Sequence, residues 1–338
     1  MKGREITRAV KLFDEKGKLN QVSVGWARHP MVYCNLKGSF LRKKKWNYWC
    51  MTNREALFSV TVSHLDYAAV IFAYIYDFTT RKFVEKSILI PLGKGLSIPD
   101  NVQDSIYFKG KGVHVSIKDE EHVTKLNVSW LNFFEDKPLE AQFNIVRKTD
   151  HESLNVVIPW SNSRFQFTSK QVALPTEGKV SWSQGDYTFQ MSDSFATLDF
   201  GRGKWPYRSK WNWGAASGFA DGYRIGLNFG GQWTDNTGQT ENGIIIDQKL
   251  HKIHEDLDWV YDHHDYMKPW VIHSPNNKRV KLMFKPIFER VSKTNLGIIK
   301  SNVHQMIGYY SGTVETDDGQ TIQIQRLLGW AEDHQARW

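Results

Sequence analysis

The sequence predicts an all-β protein built from two tandem antiparallel β-barrel or sandwich domains, with few short helices. Short β-rich runs recur about every 8–12 residues and are separated by turn residues rather than by helices. Aromatic residues, which favour strands, make up 14% of the chain. The length of 338 residues exceeds one ordinary small core, so two domains or one large β structure are expected.

The first meander begins near residue 55. Its clearest feature is a pair of runs at 70–76 and 83–90, which flank turn residues 79–82 and predict a β-hairpin. Further strands are predicted at 105–108, 113–117, 125–130, 140–147 and 154–160.

Pro159 and Pro175 bracket a change of composition, so we place the domain boundary at about residue 170. The predicted domains are residues 1–170, with a basic N-terminal segment, and residues 171–338. The second meander has runs at 179–183, 187–191, 196–200, 223–229, 244–250, 257–261, 270–273, 280–284, 306–314 and 321–328. The tail, 329–338, is predicted as a short helix.

The net charge of +8 is concentrated near the N-terminus, where residues 1–50 carry 12 lysines and arginines against three acidic residues. Such a surface would suit peripheral contact with an anionic membrane or an acidic ligand, but ordinary solvated charge is the favoured interpretation. Nucleic acid is not expected as a partner, because the basic run at 42–45 is short and no helical recognition motif is present.

The chain is expected to be cytoplasmic. Its first 20 residues contain no apolar signal core, and no apolar run approaches the roughly 20 residues that cross a bilayer. Its two cysteines, Cys34 and Cys50, cannot build a disulfide framework and fit reduced thiols. No phosphate-cradling loop or cysteine pair at metal spacing is found, and no cofactor is expected.

The stretch 199–243 is the strongest candidate for a ligand site, because it combines 10 of the 25 glycines with four tryptophans. Glycines permit tight corners, and indoles provide flat apolar walls. Its predicted ligand-binding residues are Arg202, Trp205, Tyr207, Trp211, Trp213, Arg224, Asn228 and Trp233. A set of tight turns with aromatic corners is the structural alternative.

Alternation along the run 224–228 places Arg224, Gly226 and Asn228 on one face of a strand. A ligand carboxylate, hydroxyl or carbonyl would satisfy the two polar side chains if that face is buried. Alternatively, Arg224 pairs with Asp221 or Asp199.

Three residues are candidates for proton transfer. Asp221 and Glu241 belong to the glycine- and tryptophan-rich stretch, and His304 enters a tyrosine-rich run. Each also has a structural interpretation, as a solvated turn carboxylate or as a hydrogen-bonded histidine at a strand end. The span 251–273 holds five histidines, but their spacing matches no metal cage, so no metal site is predicted.

Several long motifs resemble the bacterial family known as domain of unknown function 2804. They are the residues 25–30 (GWARHP), 42–49 (RKKKWNYW), 199–218, 226–243, 303–314 and 327–338. More distantly, the organisation is similar to the lipocalin-related proteins that include carotenoid 1,2-hydratase. That resemblance implies two lipocalin-like β domains that enclose an apolar ligand between or within their barrels, and it transfers no catalytic residue.

The leading hypothesis is a protein that binds a small apolar or amphipathic molecule in a tryptophan-lined pocket. Cofactor-free proton-transfer chemistry, of the hydratase or isomerase type, would accompany binding. The first alternative is a carbohydrate-active enzyme or sugar binder that uses tryptophan platforms and paired carboxylates. The second is a non-catalytic lipid carrier that contacts membranes through its basic N-terminal segment.

Overall fold

The structure is a computed structural model, and it describes residues 3–36, 38, 41–296 and 299–337. In these residues the chain forms 24 strands and one 3-10 helix, Gln21–Ser23. No helix in this described part of the chain is long and apolar enough to cross a bilayer. The fold is all-β, as predicted, and consists of two curled antiparallel sheets that form two tandem lipocalin-like β domains.

The first large sheet has 13 strands and contains most of the N-terminal two thirds of the chain. Its strands are β2 (Trp26–Ala27), β4 (Lys43–Thr52), β5 (Ala56–His64), β6 (Ala68–Asp77), β7 (Phe83–Pro91), β8 (Ile106–Gly110), β9 (Val113–Glu120), β10 (Val123–Phe134), β11 (Lys137–Val146), β12 (Leu154–Ser161), β13 (Arg164–Trp182), β14 (Gly185–Phe189) and β15 (Phe195–Lys204). Two further short strands, β1 (Val10–Lys11) and β3 (Val32–Tyr33), pair in parallel beside it.

The second sheet has nine strands in the order β19-β18-β17-β16-β24-β23-β22-β21-β20. These strands are β16 (Arg208–Ala220), β17 (Tyr223–Gly231), β18 (Asn242–Ile246), β19 (Lys249–Ile253), β20 (Asp258–Val260), β21 (Trp270–His273), β22 (Val280–Leu296), β23 (Ile299–Glu315) and β24 (Thr321–Arg337).

Strand β13 links the two halves of the first sheet. Its first part pairs with β12 and β15, and its second part pairs with β11 and β14. The register with β15 shifts between Gln171 and Leu174, and Ala173 has a positive φ of 56°. This bulge bends the strand, so that one 19-residue strand serves two parts of a curled sheet.

Each large sheet has two buried faces in its central strands, because side chains alternate along a strand. One face of each sheet lines the core of its own domain. The other faces pack against each other and form a third core, here called the inter-sheet core, which is rich in tryptophan and tyrosine. A run buried on both faces explains why β5, β6 and β15 show little polar alternation.

The hairpin predicted from 70–76 and 83–90 is confirmed by the pairing of β6 with β7. The helix predicted for the tail is wrong, because residues 321–337 form β24, which pairs on both sides with β16 and β23. Sheet pairing outweighs the local helix preference there. Residue 338 lies outside the described residues. The domain boundary predicted at residue 170 falls inside β13, whereas the chain passes from one sheet to the other at 205–207.

Candidate functional site

The inter-sheet core contains a buried polar cluster, here called the inter-sheet site. On the first sheet, strand register places Lys170 of β13 opposite Asp199 of β15, and Asp199 opposite Tyr48 of β4. On the second sheet, Trp213 of β16 lies opposite Glu332 of β24. Because directly opposed residues point to the same face, each sheet presents one polar row to the other.

The centre of the site is a lysine between two carboxylates. Lys170 Nζ lies 2.9 Å from an oxygen of Asp199 and 3.1 Å from an oxygen of Glu241, which precedes β18. The same ammonium lies 4.4 Å from the ring centroid of Trp213, within range of a cation–π interaction. Trp233 donates its indole N–H to the other oxygen of Glu241. The charges are buried, and residues from both sheets complete the site.

Burial and pairing act against each other on the ionisation of these groups. Burial alone would lower the pKa of Lys170, but the attraction of Asp199 and Glu241 outweighs it and raises that pKa. Burial raises the pKa of Glu241 although Lys170 and the Trp233 indole oppose the shift. The lysine therefore stays charged, and the site favours a proton on Glu241 more strongly than water does.

A third carboxyl, Glu332, lies on the face of the second sheet that carries Trp213. Its oxygens accept hydrogen bonds from Trp211 Nε1 at 2.9 Å and from Gln305 Nε2 at 3.4 Å. Tyr74 of the first sheet donates to Gln305 Oε1 at 2.8 Å, and so joins the two sheets. Burial raises the pKa of Glu332 to about 7, against the opposing effects of Trp211 and Lys170. Glu332 is therefore a carboxyl that exchanges its proton near neutral pH.

Tryptophans form the apolar wall beside these groups. Trp205 stacks on Trp233 with ring centroids 5.3 Å apart and an interplanar angle of 20°. Its centroid lies 4.7 Å from that of Trp160 and 5.4 Å from that of Trp211. Trp46, Trp160 and Trp211 are only partly buried, whereas Trp205 and Trp233 are buried. The wall thus extends from the charged cluster to the protein surface.

Two glycines of this region lie where a neighbouring side chain leaves no room for a Cβ atom. A Cβ on Gly226 would lie 2.4 Å from the Val172 side chain, which packs against the glycine between Arg224 and Asn228. A Cβ on Gly230 would lie 2.1 Å from a carboxylate oxygen of Glu241 and 2.3 Å from its Cγ. Glycine at position 230 therefore lets Glu241 reach Lys170.

We expect Gly230→Ala to lower the free energy of unfolding by about 1–3 kcal/mol, because the added methyl group must displace the Glu241 side chain. Urea unfolding measures this loss. The matched control is Gly110→Ala in β8, where the added Cβ would lie 3.2 Å from its nearest neighbour, the Phe108 ring. Equal losses in the two variants would contradict the role assigned to Gly230.

The structure brings six of the predicted site residues together in the inter-sheet core. The Asn228 side chain bonds within this core, since its oxygen accepts from Trp213 Nε1 at 3.0 Å and its nitrogen donates to the Glu241 carbonyl at 2.6 Å. The six residues are Trp205, Trp211, Trp213, Asn228, Trp233 and Glu241.

The other predicted residues lie elsewhere. Asp221 is in an exposed turn with a positive φ of 53°, and Tyr207 is 41% exposed in the connection between the sheets. Arg224 lies half-buried at the start of β17, and no ion pair with Asp221 or Asp199 forms in the described part of the chain. Of this group, Arg224 alone shares the inter-sheet face.

The side chains of Arg202 and His304 point away from the inter-sheet site. Side chains alternate along a strand, and each of these residues occupies a position that faces the opposite side of its sheet. Arg202 is fully buried in the first domain and donates four hydrogen bonds, to three carbonyls and the side-chain oxygen of Asn47. Burial lowers its pKa to about 9. His304 lies 2.6 Å from Glu289 and stacks on Tyr266 at 4.3 Å.

The sequence interpretation missed Lys170 and Glu332 and treated Asp199 only as a partner of Arg224. Lys170 has a recognisable signal, since it is a lone charge in a β-rich run with phenylalanines at alternate positions. Glu332 has a similar signal, because Leu328, Trp330 and Glu332 alternate along β24.

The histidine-rich span 251–273 is dispersed over the second domain. His251 lies 3.7 Å from Asp317, His263 lies 3.6 Å from Asp333, and His273 lies 3.7 Å from Asp258. No group of three histidine, cysteine, aspartate or glutamate side chains is arranged to hold a metal ion among the residues described. Cys34 and Cys50 are buried free thiols in two different cores.

A family model described as domain of unknown function (DUF2804) matches residues 3–338, and the chain belongs to this family. No curated protein sequence matches the chain. The crystal structure of CghA with Sch210972 is similar, with a TM-score of 0.46, 7% identity and coverage of 88% of each chain. Kievitone hydratase from Nectria haematococca has a TM-score of 0.46 and 10% identity over 88% of this chain and 89% of its own. A putative AttH from Nitrosomonas europaea has a TM-score of 0.36 and 10% identity, covering 87% of this chain and 92% of its own.

Proposed function

We propose that this member of the DUF2804 family binds a small apolar or amphipathic molecule between its two sheets and transfers protons on it without a cofactor. Hydration and isomerisation are the reaction types that such chemistry serves. The observation that carries the proposal is the buried cluster of Lys170, Asp199 and Glu241, with Glu332 on the same face as Trp213.

Buried charges at this position need a reason beyond stability. Replacing a buried ion pair by apolar residues of similar volume is often neutral or stabilising, so ion pairs add little to a core. Here an otherwise aromatic core contains Lys170, its two carboxylate partners and Glu332, whose pKa is raised. Perturbed ionisable groups that converge in this way are typical of functional sites.

The tryptophan arrangement favours an apolar ligand over a sugar. Sugar rings bind on the open faces of indoles, but Trp205 and Trp233 stack face to face at 5.3 Å. The partly buried Trp46, Trp160 and Trp211 lie where this wall meets the surface. A ligand that enters beside Trp211 would reach Glu332 first, because the two side chains are hydrogen-bonded at 2.9 Å.

Each group has a role that follows from its ionisation. Glu332, with a pKa of about 7, would donate a proton to a ligand carbon and recover it from water or from a second carbon. The Lys170 ammonium, held by Asp199 and Glu241, would stabilise negative charge that develops on a ligand oxygen. In a hydration, the proton adds to one carbon of a double bond and the water oxygen adds to the other.

Compounds that co-purify with the protein provide the test. Native and denaturing mass spectrometry would identify them, and each compound would then be incubated with the protein in D₂O or in H₂¹⁸O. We expect deuterium to appear on carbon for isomerisation and ¹⁸O to appear in the product for hydration. Glu332→Gln should reduce the rate by about 100-fold or more, the usual contribution of a general acid.

The matched control is Glu289→Gln, which removes a carboxylate from the opposite face of the second sheet, where Glu289 pairs with His304. This variant should keep the wild-type rate. Exchange at the wild-type rate in Glu332→Gln, with the compound still bound, would contradict the role given to Glu332. If the compound binds but no isotope is incorporated, the protein is a carrier and the proposed enzymatic activity is wrong.

A further inference from the structure

A cleft of about 660 Å³ lies at one end of the second sheet, where β16, β22, β23 and β24 end or begin. Among the residues that the structure describes, its lining contains five basic side chains and no acidic one. The lining residues are Arg208, Ser209, Lys210, Lys293, Thr294, Lys300, Ser301, Asn302, Gln335, Ala336 and Arg337. A volume of this size is typical of a site for a small molecule.

Strand register stacks these cations in rows. Arg208 of β16 lies opposite Arg337 of β24, and Arg337 lies opposite Lys300 of β23. In the next row on the same face, Lys210 and Lys293 stand at the two ends, separated by Gln335 and Asn302. Three cations therefore occupy directly opposed positions on three adjacent strands.

Like charges at directly opposed positions destabilise a sheet. Arg208, Lys293 and Lys300 have no carboxylate partner among the residues that the structure describes. Lys210 Nζ lies 4.0 Å from an oxygen of Asp333, which is not one of the lining residues. An anion bound between the rows would offset this repulsion, and the guanidinium groups are suited to two-point hydrogen bonding with phosphate oxygens.

We propose that this cleft is a binding site for the phosphate group of a phosphorylated ligand, held by Arg208, Lys300 and Arg337. Strand alternation places Arg208, Lys300 and Arg337 on the face of the second sheet opposite to Trp213 and Glu332, so the proposal does not depend on the function proposed above. A soluble phosphorylated molecule and a phospholipid headgroup share the chemistry that these residues recognise.

Isothermal titration with inorganic pyrophosphate, at constant ionic strength, tests the site. Compared with wild type, Arg208→Gln/Lys300→Gln should bind pyrophosphate about tenfold or more weakly, since it loses two charge-assisted partners. The control is Lys109→Gln/Lys137→Gln, which removes two exposed lysines of the first sheet and gives the same change in net charge. It should bind as wild type does. Equal affinity in all three proteins, or no binding by wild type, would overturn the proposal.

Thermal melting without ligand shows whether the cleft variant is folded, and the single variant Lys300→Gln replaces it if it is not. Co-sedimentation then identifies the source of the phosphate, using phosphatidylcholine vesicles with or without phosphatidic acid. Pyrophosphate binding without sedimentation indicates a soluble ligand. Sedimentation that requires phosphatidic acid and is lost in the cleft variant indicates a lipid headgroup, and both results support the site.

Discussion

Replacing Lys170 by methionine is expected to lower the free energy of unfolding by about 3–5 kcal/mol at pH 8, because breaking a buried ion pair leaves an uncompensated charge. Methionine keeps an apolar chain beside the Trp213 ring, so the loss reports mainly on charge. Asp199 and Glu241 would both lose their ammonium partner at 2.9 and 3.1 Å. At pH 5 the loss should be smaller, since Glu241 has a raised pKa and can neutralise itself by binding a proton.

Urea unfolding at the two pH values measures both effects, and Lys252→Met is the matched control. Lys252 is also buried, but its Nζ lies within hydrogen-bonding distance of Thr240 Oγ1 and of the carbonyls of Asn242 and Ile253, not of a carboxylate. Burial lowers its pKa to about 7, so it is largely neutral at pH 8. Its replacement leaves neutral oxygens rather than carboxylates. Equal losses at pH 8 in both variants would show that Lys170 serves only to fill space.

The sequence alone predicts the all-β class and half of the site. Tryptophan and glycine at 199–243 identify the aromatic wall. Tryptophan provides a large flat apolar surface, and glycine lets another group approach the backbone closely. Glu241 could be proposed because it follows Trp233 closely, and these two side chains are hydrogen-bonded in the structure. Information of this kind is local, and a single stretch of chain contains it.

The other half of the site depends on pairings between distant segments. Lys170 meets Glu241 across two sheets, and Glu332 faces the same core only because β24 pairs with β16. A helix at the tail would have rotated Glu332 out of any such row. Local preference cannot identify the partner strand, since burial and cross-strand contacts determine strand stability.

The face of a strand is equally hard to predict when both faces are buried. Arg202 lies three residues from Asp199 on β15, and the alternation of side chains sends it into the core of the first domain. His304 is adjacent to Gln305, yet Gln305 joins the inter-sheet site and His304 faces the second domain. A shift of one residue reverses the face, and an apolar run gives no sign of which face is which.

The second large effect concerns Glu332, whose replacement by glutamine should make the protein more stable than wild type at alkaline pH. The pKa of Glu332 is raised from 4.5 to about 7 in the folded protein. Between these pH values the folded state binds more protons than the unfolded state, so wild-type stability falls as pH rises. A shift of this size corresponds to about 3 kcal/mol between pH 4.5 and pH 8. The glutamine side chain does not ionise in this pH range, and its oxygen can still accept the hydrogen bond from Trp211.

Unfolding free energies of wild type and Glu332→Gln, measured from pH 4.5 to pH 8, test this expectation. Their difference should change by about 3 kcal/mol in favour of the variant and level off above pH 7. Glu55→Gln, at an exposed carboxylate, provides the control for general pH effects and should follow wild type. A difference between wild type and Glu332→Gln that does not depend on pH would mean that Glu332 is ionised throughout.

Tryptophan fluorescence reports the same proton directly, because Trp211 donates to Glu332 at 2.9 Å. Emission from wild type should change with a midpoint near pH 7, and Glu332→Gln should remove this transition. Agreement between the midpoint and the fall in stability would assign both to one carboxyl. The proton that destabilises the fold when it leaves would then be the one available to a ligand near neutral pH, which connects the cost of burying Glu332 to its proposed role.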